Sequence, residues 1–188
     1  MIFALMGRSG AGKSTIAKEI IQNTSLDEIL TWTTRPIRSG EASGKDYHFT
    51  SDEGFDRMLK KGNIVAHKYI EARDWHYGIN ISDIQRLGDD KHAVVIVSPD
   101  GYNELKTIFG SKVMGLFIET EEKTLLRRCI TREENPDIFE ISRRYIADKS
   151  DFRNINYDFK IDNNGDFEKT VSHITSLINT VLYGSKQV

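Results

Sequence analysis

MIFALMGRSGAGKST, residues 1–15, decides how the chain folds. Residues 2–6 are a short apolar run that reads as a buried strand, and Gly7 ends it. From there Gly7, Arg8, Ser9, Gly10, Ala11, Gly12, Lys13 and Ser14 fit the pattern G-x-x-x-x-G-K-[ST] at every fixed position. Glycines let the backbone take positive φ and come close to a phosphate. Successive N–H groups then form an anion-binding concavity at a helix N-terminus, where the helix dipole also favours negative charge. Lys13 is placed to reach the β- and γ-phosphates, and the Ser14 hydroxyl to ligate Mg²⁺, so ATP with Mg²⁺ is the expected ligand of this loop, Thr15 included. The helix that such a loop needs follows at once, with apolar residues at 16, 17, 20 and 21.

Working outward, strand and helix signals alternate. Strands are expected at 29–33, 47–50, 64–70, 75–78, 92–97, 113–118 and 159–161, and helices at 121–132, 137–152 and 167–182. Thr50 with Glu53, and Ser82 with Gln85, have capping-box spacing ahead of two further helices. Pro99 stands where another helix begins and Gly110 where it stops. Alternating strands and helices imply an α/β fold with a parallel sheet covered on both faces. Residues 34–79 break the rhythm with several short strands and one helix, and are read as an inserted lobe in a single domain. The core is then about 1–33 and 80–183.

Composition narrows the function classes. The chain has 188 residues, 38% hydrophobic and 29% charged, with a net charge of −2. That is one ordinary globular domain, without the global basic field that recruits nucleic acid or an anionic membrane. The single cysteine, Cys129, excludes an internal disulfide and suits the cytoplasm. The five histidines show no metal-ligand spacing, and no apolar run approaches bilayer length. Oligomeric state is left as monomer or homodimer.

The second informative stretch is TWTTRPIRSGEASGKDYHF, residues 31–49. Arg35 and Arg38, flanked by hydroxyls and glycine, can present rigid forks to a phosphate dianion, and Tyr47 adds a phenol. Further on, Arg128 and Arg132 lie four apart, on one helix face. Arginines carried by a closing lid stabilise phosphoryl-transfer charge without acting as acid or base.

With GRSGAGKST in front and these arginines behind, the chain resembles the guanylate kinases over about residues 1–180. The resemblance implies a P-loop three-layer fold with a helical lid, about 128–145, and a small acceptor-binding lobe. It also implies transfer of the ATP γ-phosphoryl group to a nucleoside monophosphate, chiefly GMP. By residue it puts Arg35, Arg38 and Tyr47 at the acceptor phosphate and Tyr77 on the family's YG turn. Thr31 supplies a hydroxyl on the acceptor side, Lys13, Arg128, Arg132 and Arg143 serve transfer, and Asn163 falls near the adenine pocket.

There are departures at the base-reading positions. The family's glutamate falls at Ala66, unless the longer turn at 71–74 shifts the register and lets Glu71 serve. Its serine after YG falls at Ile79, and the strand at 92–97 carries no aspartate; Ser98 and Asp100 follow it. Loss of a carboxylate that pairs a purine N–H weakens selection, because discrimination arises from buried hydrogen bonds. A different acceptor, another nucleoside monophosphate or ribose 1,5-bisphosphate, therefore stays open. A non-catalytic binding module of the scaffold type is disfavoured by the complete phosphate loop.

Overall fold

The computed structural model of the chain describes residues 1–88, 90–131 and 137–184. Its centre is β1 (Ile2–Met6), buried at every residue. Parallel to it on one side runs β7 (Ala93–Ile96), and on the other β8 (Val113–Glu119). Outside these lie β2 (Asp27–Ile29) and β9 (Phe159–Asp162), also parallel, for the order β2-β7-β1-β8-β9. Such strands need apolar residues on both faces, and their near-continuous apolar runs supply them.

Helices cover both faces. Against one, α1 (Lys13–Asn23) and α7 (Phe167–Tyr183) bury Ile16, Ile20, Ile174 and Ile178 on Phe3, Leu5 and Leu116. Against the other, α3 (Ile81–Gln85) and α4 (Pro99–Phe109) bury Ile84, Tyr102 and Leu105 on Ala4, Met6 and Val95. Each fully buried side chain of this size contributes about 1.5–3 kcal/mol. This three-layer α/β core puts the C-terminal ends of β1 and β8, and the loops after them, on one edge.

A second, four-stranded sheet has the order β4 (His48–Phe49), β3 (Trp32–Thr33), β6 (Trp75–Asn80), β5 (Ile64–Ile70). The single strand expected at 29–33 is thus two: β2 belongs to the core sheet and β3 to the small one. At the break, the Thr31 carbonyl accepts the His48 N–H across to β4. β5 and β6 form an antiparallel hairpin closed by a 3₁₀ turn, Glu71–Arg73. The hairpin register slips between Val65 and Lys68, where Ala66 has a φ of 53°. α2 (Asp52–Lys60) packs Phe55 beneath this sheet.

Both capping boxes shift. Ser51, not Thr50, caps α2, its hydroxyl accepting the Gly54 N–H, and Asn80, not Ser82, caps α3 through the Ser82 N–H. Beyond β8 come α5 (Glu122–Ile130) and α6 (Ile138–Asp151), which the expected lid, about 128–145, overlaps in part.

Candidate active site

The phosphate loop leaves β1 and turns directly into α1. Gly12 is the N-cap of α1, with φ 86°, no side chain caps the helix, and no acidic residue sits in its first turn. The N–H groups at its start are therefore offered to an anion rather than satisfied internally. Gly10 also has a positive φ, 83°, and a Cβ there would come within 2.7 Å of the Leu125 carbonyl oxygen. Half-buried Cys129 lies against the same position. Lys13 folds back, Nζ donating to the carbonyls of Gly7 (2.6 Å) and Arg8 (3.2 Å). Ser14 and Thr15 are exposed on the first turn of α1.

Contacts from outside brace the loop. Asn163 is 2% exposed, and its amide donates to the Ala11 carbonyl at 2.9 Å. Asn163, expected near the adenine pocket, thus stands directly behind the loop. Arg128 donates from Nη1 to the Gly10 carbonyl at 3.3 Å, bringing one expected transfer arginine to the phosphate loop. The Arg8 guanidinium lies 4.6 Å from the Tyr145 ring centroid and pairs with Glu122 at 3.2 Å. Hydrogen bonds from Tyr145 and Arg8 pull the Glu122 carboxyl down to about 2.

On the small sheet, Arg35 is only 3% exposed. Its Nη1 and Nη2 grip Glu41 in a two-pronged pair, both at 2.9 Å, and the Arg38 N–H donates to the same carboxylate. Burial works against the Arg35 charge, and the Glu41 bonds more than offset it, so its pKa is raised. For Glu41 the balance runs the same way: burial raises the carboxyl, and its bonds to Arg35 and to the Arg38 N–H bring it below the usual range. The guanidinium lies 5.1 Å from the Tyr47 ring, and Tyr47 meets Tyr77 edge-on at 6.2 Å. Burial raises the Tyr77 phenol, with Arg35 pulling the other way. Arg35, Arg38, Tyr47 and Tyr77 are thus one cluster, and Glu41, quoted in the sequence motif but given no role, is its organiser. Thr31 is half-buried just before β3.

Glu71 is exposed in the turn closing the β5–β6 hairpin, beyond the last paired residues Ile70 and Trp75. Ala66 and Ile79 lie near the other end of the hairpin, in the apolar cluster with Val97 and Tyr102. Glu71 and Ala66 are thus five residues apart along the hairpin, with the remainder of β5 between them. Ser98 caps α4, its hydroxyl accepting the Gly101 N–H.

Arg143 projects from α6 and donates to Glu140 at 2.7 Å, while Arg144 donates to the other oxygen of the same carboxylate at 2.8 Å. Arg132 lies outside the described residues. Among the described residues no group of three His, Cys, Asp or Glu is placed to hold a metal ion, and no helix is long and apolar enough to cross a membrane.

The family model described as Guanylate kinase matches residues 2–181. A guanylate kinase of Helicobacter hepaticus is 32% identical over 165 residues, covering 86% of this chain and 82% of that protein. One from Wolbachia pipientis wMel is 32% identical over 182 residues, covering 95% and 89%. The crystal structure of guanylate kinase from Anaplasma phagocytophilum superposes with a TM-score of 0.78 at 22% identity, covering 98% of this chain and 87% of that one, which bears on the fold. With this P-loop core, an uncapped helix behind the glycine loop and a match along nearly its whole length, the chain belongs to the guanylate kinase family.

Proposed function

We propose that the protein is an ATP-dependent nucleoside monophosphate kinase acting in the cytoplasm, with GMP as first candidate acceptor. The observation that carries this reading is the open first turn of α1 behind a complete glycine loop, with Lys13 folded over it. ATP fits there: the loop offers backbone donors, and Arg128 reaches the Gly10 carbonyl from α5. Mg²⁺ fits as well. It takes phosphate oxygens and water with few protein ligands, and the exposed Ser14 hydroxyl on that turn is suited to be one of them. When bound it would neutralise charge on the β- and γ-oxygens.

Everything else is positioning. Arg38 holds the acceptor phosphate, with Arg35, whose Nη atoms Glu41 already grips, adding its charge from behind. Tyr47 and Tyr77 wall the site, and Arg128 and Arg143 serve the group in flight. In-line transfer needs no covalent intermediate, because orientation and charge neutralisation lower the barrier.

One observation favours a second acceptor class. Ala66 and Ile79 are folded into the apolar cluster, and Ser98 is committed to its helix. None of these three side chains offers a carboxylate to a base edge, and the carboxylate that does reach Ala66, that of Glu104, accepts the Ala66 N–H at 2.9 Å. The test is a coupled assay with GMP, dGMP, AMP, UMP, CMP and ribose 1,5-bisphosphate. Preference for GMP supports the first reading. Turnover of the sugar bisphosphate alone replaces the acceptor, and heatless titration with ATP·Mg²⁺ removes the kinase reading altogether.

A further inference from the structure

Glu140 does more than brace its own helix. It is 9% exposed, in the first turn of α6, and its two oxygens are divided between Arg143 and Arg144. A third guanidinium reaches it from another part of the chain: Arg73, in the turn of the β5–β6 hairpin, lies 3.4 Å away through Nε. Arg73 also stands 4.0 Å from Asp137, the N-cap of α6. The turn that presents it is braced. Arg73 sits 5.3 Å over the Trp75 ring, and the Tyr69 hydroxyl donates to Asp74 at 2.8 Å.

A second bridge repeats the pattern. Lys68 of β5 pairs with Asp151, the last residue of α6, at 3.0 Å. From Glu140 to Asp151 is ~16 Å along a helix. From Lys68 to Arg73 is about 13 Å along strand and 3₁₀ turn. The two spans nearly match and run in opposite directions, and the long Lys and Arg stems take up the difference. Lys68 is also the register partner of Tyr77 in the acceptor cluster. Arg144 is near enough to Tyr77 to favour its phenolate.

We propose that Glu140 is a positioning residue that fastens α6 to the β5–β6 hairpin, so that the arginines of α6 and the acceptor cluster are brought into place as one unit. The Glu140 carboxylate fixes Arg143 and Arg144 in a single arrangement, and Arg73 ties that arrangement to the hairpin. Without Arg73 the arginines keep Glu140, and the tie to the hairpin at this end of α6 is lost, leaving the Lys68–Asp151 bridge at the other. Without the Glu140 carboxylate, Arg143 and Arg144 lose the counter-charge they share, Arg73 keeps only its looser 4.0 Å contact with Asp137, and the three guanidiniums separate.

The role in turnover rests on the phosphotransferase reading, so the test has two arms. In the first, amide hydrogen exchange is measured on the free protein. Arg73→Ala, a half-exposed site outside the reacting groups, should speed exchange at least threefold both in the turn at 71–74 and in the first turns of α6. Lys68→Ala should do so at the far end of α6. Glu140→Gln should loosen turn and helix together, and Glu140→Asp should restore part of the protection. In the second arm, Arg73→Ala should raise the acceptor KM three- to tenfold, with the KM for ATP moving less than twofold. Glu140→Gln should lower kcat at least tenfold. Unchanged exchange in α6 on Arg73→Ala overturns the proposal, as does an equal rise in both KM values. Should no acceptor be turned over, the kinase reading falls, and the exchange arm still decides the fastening.

Discussion

The carboxylate of Asp148, on α6, accepts a hydrogen bond from the backbone N–H of Ser9 at 2.5 Å, inside the phosphate loop and 139 residues away in sequence. A loop shaped for anions therefore holds one supplied by its own chain. An incoming polyphosphate carries like charge and has to displace it or work against it. We expect Asp148→Asn to tighten ATP·Mg²⁺ binding about three- to tenfold, roughly 0.7–1.4 kcal/mol. Calorimetry checks this. Weaker binding in the variant would mean that the carboxylate supports the loop's shape instead of competing for it.

In the proposed mechanism Lys13 is the side chain on which the transfer chemistry turns. Its contacts in the ligand-free loop include the Gly7 and Arg8 carbonyls, which give up little when it swings to phosphate. Lys13→Ala should therefore cost under about 1 kcal/mol of folding stability. It should also lower turnover by about a hundredfold or more. Undiminished ATP consumption with the acceptor would exclude the proposed mechanism.

The parts of this fold that short-range patterning specifies were legible. The run at 2–6, the glycine loop and the apolar spacing of α1 lie within twenty-three residues and constrain one another. Pro99 and Gly110 likewise mark α4 where it is found. The misplaced helix starts have a local cause, since neighbouring hydroxyl and amide side chains compete for the same N–H groups and patterning alone does not rank Ser51 against Thr50.

What stayed hidden was tertiary. Glu41 is six residues from Arg35, but only the fold of the loop between them puts its carboxylate on both prongs of that fork. Nothing near Arg143 says that Arg73 will share Glu140, a pairing that depends on the hairpin and α6 being brought side by side. The substitutions at Ala66 and Ile79 were visible, but their meaning required seeing both residues in the cluster with α4.

Gly10 tests the loop's shape independently of its charges. At φ 83° an alanine is in the left-handed region, and its Cβ would press on the Leu125 carbonyl at 2.7 Å and on the Cys129 sulfur at 3.1 Å. The backbone carbonyl cannot move without shifting α5, so Gly10→Ala should destabilise by about 2 kcal/mol or more. It should also weaken ATP binding by about a hundredfold. Urea unfolding with a parallel nucleotide titration checks both, and wild-type affinity in a folded Gly10→Ala protein would show that the loop's geometry is not what binds.

Asp158 gives the fold an acid limit. One of its oxygens accepts the Gly115 N–H at 2.7 Å and the Tyr102 hydroxyl at 2.8 Å, and Lys106 reaches the carboxylate at 3.1 Å. Burial raises its pKa, but these bonds outweigh it and the net shift is downward. The unfolded chain then binds its proton at a higher pH than the folded one. The stabilisation is fully present above about pH 5 and is lost as pH falls through the folded value, below the ordinary aspartate pKa of about 3.9. Asp158→Asn should cost about 1–3 kcal/mol at pH 7, since charge-assisted bonds become neutral ones. The gap between variant and parent should close on acidification, because protonation removes the same charge from the parent. Unfolding free energies of both proteins from pH 7 to pH 2.5 make the measurement. A gap of constant size across that range would place the contribution of Asp158 in packing rather than in its charge.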